Sequence, residues 1–337
     1  MAQMFSLRRS PEFAVDFGTA NMRVIKRDGD VLFDEPSLCC FTRGGRSRTL
    51  VAAGSEAEAM VDRTPTSLEI KRPLCRGVLQ DIEAARALLR YGVPRALGRE
   101  RHVTPPGALF GVPADATQAE RSALLAAARD AGLGPVRLVS EPSAAAVGAN
   151  LPVSRPTGTM IVECGAGTTE VAVISLGDIC LTRSVRIGGA ALNQAIADHL
   201  HFRHKFLIGD VTAEQIKREM FTAHTRQKDR DEDIEVKGRS LAAAGPMSIR
   251  IARSELHAVA EKHVAHIVEV VNEVLGETPP ELSRDIHDNG IILTGGAAMP
   301  LIEGMITAAT GLPVSIADGA DQCVTRGLQQ MLAGSAR

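Results

Sequence analysis

The chain has 337 residues, 45% hydrophobic and 23% charged, with a formal net charge of −2, which describes a soluble globular protein long enough for two domains. That charge gives no general pull toward nucleic acid or an anionic surface, and 3% aromatic residues, with no Trp and one Tyr, leave no stacking platforms for single-stranded nucleic acid. No apolar run reaches the roughly 18 residues of a membrane span, and six cysteines without a CxxC spacing read as reduced, buried thiols of a cytosolic protein.

In chain order, Met1 to Arg9 has no apolar stretch long enough for a signal peptide. Wound as a helix it sets Met1, Met4 and Phe5 on one side, with Leu7 near that face and Arg8 and Arg9 toward headgroups; the alternative is a frayed terminus. An apolar strand then carries Val15, Asp16 and Phe17 into a turn, Gly18-Thr19-Ala20-Asn21, and a second strand follows over Val24 to Lys26. Short strand-like pieces at Ser37 to Phe41 and Thr49 to Ala52 flank a Gly-Arg turn at Arg43 to Ser47. Ile70 to Leu79 leads into a helix over Asp81 to Tyr91 capped by its own acid, and Lys71 and Arg72, before Pro73, read as a solvated surface.

Leu109 to Val112 is the next buried strand, and Thr117 to Ala131 a helix opened by a capping box, Thr117 with Glu120. Leu138 and Val139 form a strand ending at Ser140-Glu141-Pro142 before an alanine-rich helix. An acid at the C-terminal end of a central strand stands where open α/β sheets keep their ligands, so Glu141 is a candidate to position or deprotonate an attacking water.

Met160 to Val162 and Val171 to Ile174 are strands around Glu163-Cys164-Gly165-Ala166-Gly167-Thr168-Thr169. Small residues let backbone N–H groups encircle an anionic oxygen, and threonine hydroxyls add short donors, which suits a phosphate. Gly188-Gly189 precedes a helix over Ala190 to Phe202, and the missing side chains would let backbone approach a ribose or phosphate. Asp198, His201 and His204 step by three toward the end of that helix; with no second cluster of ligands nearby they read as a solvated helix end rather than a metal site.

Glu214 and Lys217 share one face of a helix opened by Thr212, a surface ion pair if taken alone. Residues 224 to 233 form a charged, solvated loop, and Ile234 to Val236 pairs with Met247 to Ile251. Ser254 to Leu275 is a long helix with Leu256, Val259, Val264, Ile267, Val268 and Val271 apolar. Gly290 to Leu293 is a buried strand running into Thr294-Gly295-Gly296-Ala297, a turn at a helix start suited to adenosine or its phosphate, and Gly327 to Ala333 is a helix returning to the first half.

The two glycine turns are copies. Asp16 matches Glu163 and Gly18 matches Gly165 at an offset of 147, and Gly29 matches Gly177 at 148. Each copy continues into a further turn and a third strand, so the chain carries two β-meanders, one from each half of a duplicated α/β protein, facing a shared nucleotide cleft.

The two loops, with Leu138 to Gly148 and Leu293-Thr294-Gly295-Gly296, resemble the superfamily of actin, sugar kinases and large heat-shock ATPases. Within it the chain is most similar to the MreB family of bacterial actin homologues, a likeness that covers roughly residues 12 to 333 and extends to Arg186-Ile187-Gly188-Gly189, Thr212 to Lys217 and Thr278 to Leu282. The resemblance implies an actin-like α/β fold of two duplicated domains, each with a smaller inserted subdomain. It divides the chain into a membrane-binding segment (1–10), a first domain (11–142, small subdomain about 34–79), a second domain (143–320, small subdomain about 190–253) and a returning helix (321–337).

It further implies ATP and Mg²⁺ as cofactors. Nucleotide contacts would come from Gly18, Thr19, Ala20, Asn21, Gly165, Ala166, Gly167, Thr168, Gly188, Gly189, Gly295, Gly296 and Ala297, with Glu214 and Lys217 at the adenosine. The metal would lie near Asp16 and Glu163, catalysis would fall to Glu141 and Thr168, and membrane attachment to Met4, Phe5 and Leu7. The expected partners are further copies of the chain in filaments, the inner face of the cytoplasmic membrane, and cell-wall synthesis and shape proteins, with no nucleic acid.

The chain departs from the family pattern at Glu163 (usually Asp), Ala166 (Gly), Met22 (Thr), Ala190 (an acid) and Ala297 (Gly), which implies slow hydrolysis. Two other expectations remain open: a nucleotide-holding paralogue that regulates another filament, and a small-molecule kinase of the same fold.

Overall fold

A computed structural model describes residues 11–44, 48–98, 104–221 and 233–334. The N-terminal segment with Met4, Phe5 and Leu7, most of the turn at 43–47 and nearly all of the charged run at 224–233 lie outside the described residues.

The first half contains β1 (Phe13–Phe17), β2 (Asn21–Lys26), β3 (Val31–Pro36), β4 (Cys39–Thr42), β5 (Leu50–Ala53), α1 (Ser55–Glu58), β6 (Leu68–Lys71), β7 (Leu74–Cys75), β8 (Val78–Leu79), α2 (Ile82–Leu97), β9 (Ala108–Val112), α3 (Gln118–Asp130), β10 (Val136–Ser140) and α4 (Glu141–Gly148). The second contains β11 (Thr159–Cys164), β12 (Thr169–Ser175), β13 (Asp178–Val185), α5 (Gly189–His204), β14 (Phe206–Leu207), α6 (Asp210–Phe221), β15 (Asp233–Ser240), β16 (Gly245–Ala252), α7 (Arg253–Glu277), α8 (Pro280–Asn289), β17 (Ile291–Thr294), α9 (Pro300–Thr310) and β18 (Val314–Ile316). The last helix is α10 (Cys323–Gly334).

The duplication is visible in the sheet topology. One five-stranded sheet runs β3-β2-β1-β9-β10 and the other β13-β12-β11-β17-β18. In each, an antiparallel meander is extended on its first strand by two parallel strands. Smaller sheets, β5-β4-β6 and β14-β15-β16, are inserted after the meander of each half.

Strand alternation assigns the layers. In β1, Phe13, Val15 and Phe17 face α2 and α3, while Ala14 faces the other way. In β11, Met160, Val162 and Cys164 face α5 and α7, while Ile161 turns to the same inner layer as Ala14. That layer is filled by α4, with Ala144 to Ala146, and by α10, with Leu328 and Leu332, so these two helices are clamped between the sheets. Their crossing depends on glycine: a Cβ on Gly148 would run into the backbone of Cys323, and one on Gly327 into that of Ala144. α10 thus packs on α4 and against strands of both halves.

Two helix boundaries and the burial of two cysteines are among the points that differ from the sequence reading. α2 continues past Tyr91 to Leu97, through Pro94, because Gly92 and Val93 are buried against the sheet and tertiary packing overrides the local stop signal. α6 starts at Asp210 rather than Thr212, where the Asp210 amide donates to Asp62 Oδ2 (3.1 Å). All six cysteines are free, but Cys75 and Cys180 are exposed rather than buried. The capping box of α3 and the Asp81 cap of α2 are both formed.

Candidate functional site

The two glycine turns meet in the cleft between the halves. In the first, the Gly18 amide donates to Asn21 O (3.0 Å) and Ser37 Oγ donates to Gly18 O (2.7 Å). In the second, the Gly165 amide donates to Thr168 O (2.8 Å). A Cβ on Gly167 would come within 2.5 Å of Thr19 Oγ1 and 2.6 Å of the Gly77 amide, so the three turns 18–21, 165–168 and 76–77 interlock. The turn at Arg76-Gly77 was not singled out in the sequence. It joins β7 to β8, places Gly77 against the Thr168 side chain, and is held across the cleft by Arg186 Nη1 donating to Arg76 O (2.9 Å).

Beside the second turn, the Gly189 amide donates to Gly165 O (3.0 Å) and the Ala190 amide to Ala166 O (2.9 Å), so the start of α5 is stitched to the loop. A Cβ on Gly189 would stand 3.0 Å from Lys217 Nζ and 3.3 Å from Ala297 Cβ, which brings three predicted nucleotide contacts together. Lys217 Nζ donates to Gly189 O (3.2 Å) and pairs with Glu214 Oε2 (2.6 Å), and Glu214 also accepts from Asn193 Nδ2 (2.8 Å). Opposing these bonds, burial tends to raise the Glu214 carboxyl; the bonds from Lys217, Arg218 and Asn193 prevail and hold it below its ordinary range. At the far wall, Gly295 adopts φ +90 and its amide donates to Ala320 O (2.8 Å), while the Ala297 amide donates to Cys164 O (2.9 Å). This turn precedes α9 by several residues instead of opening it.

The departure at Met22 does not face the cleft. Its side chain is fully buried under the first turn, against Gly92 of α2.

Carboxylates dominate the floor. Glu141 is the first residue of α4, directly after β10, as its place at a strand end predicts. Oxygens of Glu141, Glu163 and Glu170 all lie within 4.8 Å of one another. Glu170 was missed in the sequence, although it stands opposite Glu163 in the β11–β12 register and so was findable by counting out from the turn. Glu170 Oε1 accepts from the Ala114 amide of the first half (2.8 Å), and its buried Oε2 has no hydrogen-bond partner. Asp16, named with Glu163 as a metal residue, lies apart from this group of three: its Oδ2 accepts from Thr325 Oγ1 (2.9 Å) and sits 3.5 Å from Arg23 Nη1.

Burial and mutual repulsion disfavour ionisation of these acids. The Glu163 carboxyl is raised well above its ordinary range by burial, then by Glu170 and Asp16. Glu141 is likewise raised well above it by burial, then by Glu170, Glu163 and Asp16. Burial pushes Glu170 up to about 7 against the Ala114 hydrogen bond. Burial also raises Asp16, with Arg23 opposing. A cluster of hard oxygen donors with an orphaned carboxylate oxygen, and no ion pair to a basic side chain among the described residues, fits a divalent cation such as Mg²⁺.

A profile of the MreB/Mbl protein family matches residues 10–337. The chain is 38% identical over 321 residues to the cell shape-determining protein MreB of Pasteurella multocida, covering 94% of this chain and 92% of that protein. It is 34% identical over 322 residues to the cell shape-determining protein Mbl of Bacillus subtilis, covering 95% of each. Among solved structures it superposes on MreB5 of Spiroplasma citri bound to AMPPNP with a TM-score of 0.86, 30% identity and 96% of each chain covered. The fold is shared with the MamK double helical filament at a TM-score of 0.76 and 22% identity, over 95% of this chain and 97% of that one.

Proposed function

The chain belongs to the MreB/Mbl family, and on that premise we propose that it is a cytoskeletal protein that binds ATP with Mg²⁺ and assembles into filaments serving cell shape. The observation that carries this reading is the interlocked pair of duplicated glycine turns above the carboxylates Glu141, Glu163 and Glu170. The names of the relatives support the role: their family determines cell shape, a solved neighbour holds AMPPNP and another ADP, and the more distant MamK forms a double helical filament.

In this reading the amides of Gly18 to Asn21 and Gly165 to Thr168 cradle the phosphates. Gly188, Gly189, Glu214, Lys217, Gly295, Gly296 and Ala297 enclose the nucleoside. Glu141 positions the attacking water, and the Thr168 hydroxyl donates to the reacting phosphate or water. Glu163 and Glu170, with Asp16 beyond, would hold Mg²⁺, which would supply the charge neutralisation that phosphates and carboxylates both need. Turnover is slow, because Glu163 reaches one methylene further than the usual aspartate and Ala166 and Ala297 add Cβ atoms where backbone should approach. Head-to-tail contact of closed subunits gives an open filament when the rotation does not close a ring.

The filaments lie at the inner face of the cytoplasmic membrane, attached through Met4, Phe5 and Leu7, and engage the machinery of cell-wall synthesis. The domain division is that of the family, with the first domain over residues 11–142, the second over 143–320 and the last helix returning.

High-speed pelleting of the full-length protein with Mg²⁺ and ATP, with Mg²⁺ and ADP, and without nucleotide, followed by negative-stain microscopy, tests the reading. Filaments that require ATP are expected. A protein that binds ATP and stays soluble throughout is instead a nucleotide-holding regulator of another filament, the alternative that the substitutions favour over a small-molecule kinase. Flotation with anionic vesicles, comparing the wild type with Phe5→Glu, tests the membrane contact.

A further inference from the structure

Away from the cleft, α5 and α7 bring together three side chains that a helical step of three does not find. Asp198, His201 and His204 do not converge; His199 and His204 do, and they meet Glu255 at the start of α7. The sequence reading found no second set of ligands for this helix end, and the fold supplies one from 51 residues further on. His204 is the last residue of α5, which Lys205 closes in the left-handed conformation with φ 51.

His199 Nε2 lies 2.5 Å and His204 Nε2 2.6 Å from the same oxygen, Glu255 Oε1. The two rings stand 6.0 Å apart at an interplanar angle of 62°. All three side chains are partly open to solvent, at 24%, 28% and 29% exposure, so an ion could reach them.

Two imidazole nitrogens aimed at one carboxylate oxygen can be satisfied in two ways: both carry N–H and donate to it, or both turn lone pairs toward a cation held among the three. Donors about 2.0–2.1 Å from a tetrahedral ion stand about 3.3 Å apart. The Glu255 oxygen need withdraw by less than about 1 Å to make that space.

We propose that His199, His204 and Glu255 form a binding site for a zinc-like divalent transition-metal cation that fastens the end of α5 to the start of α7. Imidazole donors select such metals over Mg²⁺ and Ca²⁺, which suit the all-oxygen set in the cleft. Three protein ligands leave a fourth position for water or for a group entering the groove between the two helices, which Asp198, His199, Phe202 and His263 line. Helix α5 starts at the glycine pair beside the second phosphate turn, so a clip at its far end restrains the element that presents Gly188 and Gly189.

The test uses chelator-stripped full-length protein titrated with Co²⁺ and followed by visible absorption, then with Zn²⁺ against a chromophoric chelator. The expected result is one tight equivalent with a tetrahedral nitrogen and oxygen spectrum. His199→Gln, His204→Gln and Glu255→Gln should each weaken binding at least about tenfold, while the exposed His287→Gln leaves it unchanged. Circular dichroism checks that each variant is folded; should a histidine variant unfold, Glu255→Gln, which keeps the shape of the side chain, decides alone. Equal affinity in wild type and folded variants, or a thiolate charge-transfer band pointing to Cys75 or Cys180, overturns the proposal and leaves an adventitious ion only.

Discussion

The two glycine turns share a backbone and differ in charge. Asp16 faces Arg23 across the first hairpin, and at the equivalent register Glu163 faces Glu170 across the second. In the first half the acid has an internal counter-ion 3.5 Å away and a hydroxyl donor from Thr325 at 2.9 Å. In the second, two buried acids oppose each other and Glu141 joins them; among the described residues the three have no ion pair, and only the more distant charge of Arg186 eases Glu170. Duplication supplied the same fold twice, and one exchange of sign made one hairpin self-neutralising and the other dependent on a proton or an external cation.

The comparison is broken most severely by Arg23→Ala. Arg23 and Asp16 are both largely buried, at 16% and 12% side-chain exposure, so removing the guanidinium leaves an uncompensated acid in the floor. A loss of about 4 kcal/mol in urea unfolding is expected, at the level of a broken buried ion pair. A loss below about 1 kcal/mol, the level of an exposed pair, would show that Asp16 does not rely on Arg23.

The second half answers to pH instead. Glu170 titrates near 7 in the folded protein against an ordinary value of 4.5, so between these values the folded state holds a proton that the unfolded state has released. Stability therefore falls as pH rises through that window, by about 3 kcal/mol for the metal-free protein. Glu170→Gln should flatten this part of the profile, and saturating Mg²⁺ should flatten it in the wild type. Identical profiles for wild type and Glu170→Gln would remove Glu170 from the account.

Much of this was legible in the chain. The offset of 147 that matches Asp16 to Glu163 also matches Arg23 to Glu170, so the reversal of sign is written in the sequence. It shows only when the repeat is followed outward from the glycine turns along the paired strands. The strands and both capped helices follow from apolar runs and capping, which are local signals. The turn at Arg76-Gly77, the Thr325 bond to Asp16 and the His199, His204 and Glu255 group are joined by long-range packing that periodicity does not encode. The extension of α2 past Tyr91 has the same origin, since burial of Gly92 and Val93 decides it.

Making the halves alike sharpens the comparison. Glu170→Arg sets a guanidinium opposite Glu163, as Arg23 stands opposite Asp16, and the second hairpin should then need no external cation. Mg²⁺ affinity in the presence of ATP is expected to fall about 10–100-fold, while the metal-free protein gains thermal stability. Unchanged Mg²⁺ affinity would place the cation elsewhere in the cleft. The smallest effect belongs to Thr325→Val, which keeps the shape but removes the hydroxyl that donates to Asp16 Oδ2, at a cost of about 1–2 kcal/mol. Because Thr325 and Arg23 serve the same oxygen, Thr325→Val and Arg23→Ala should not add in a double-mutant cycle, whereas sites without a shared partner do. Additivity there would mean that the first hairpin is balanced by more than its own arginine, and that the two halves are less different than their opposing charges suggest.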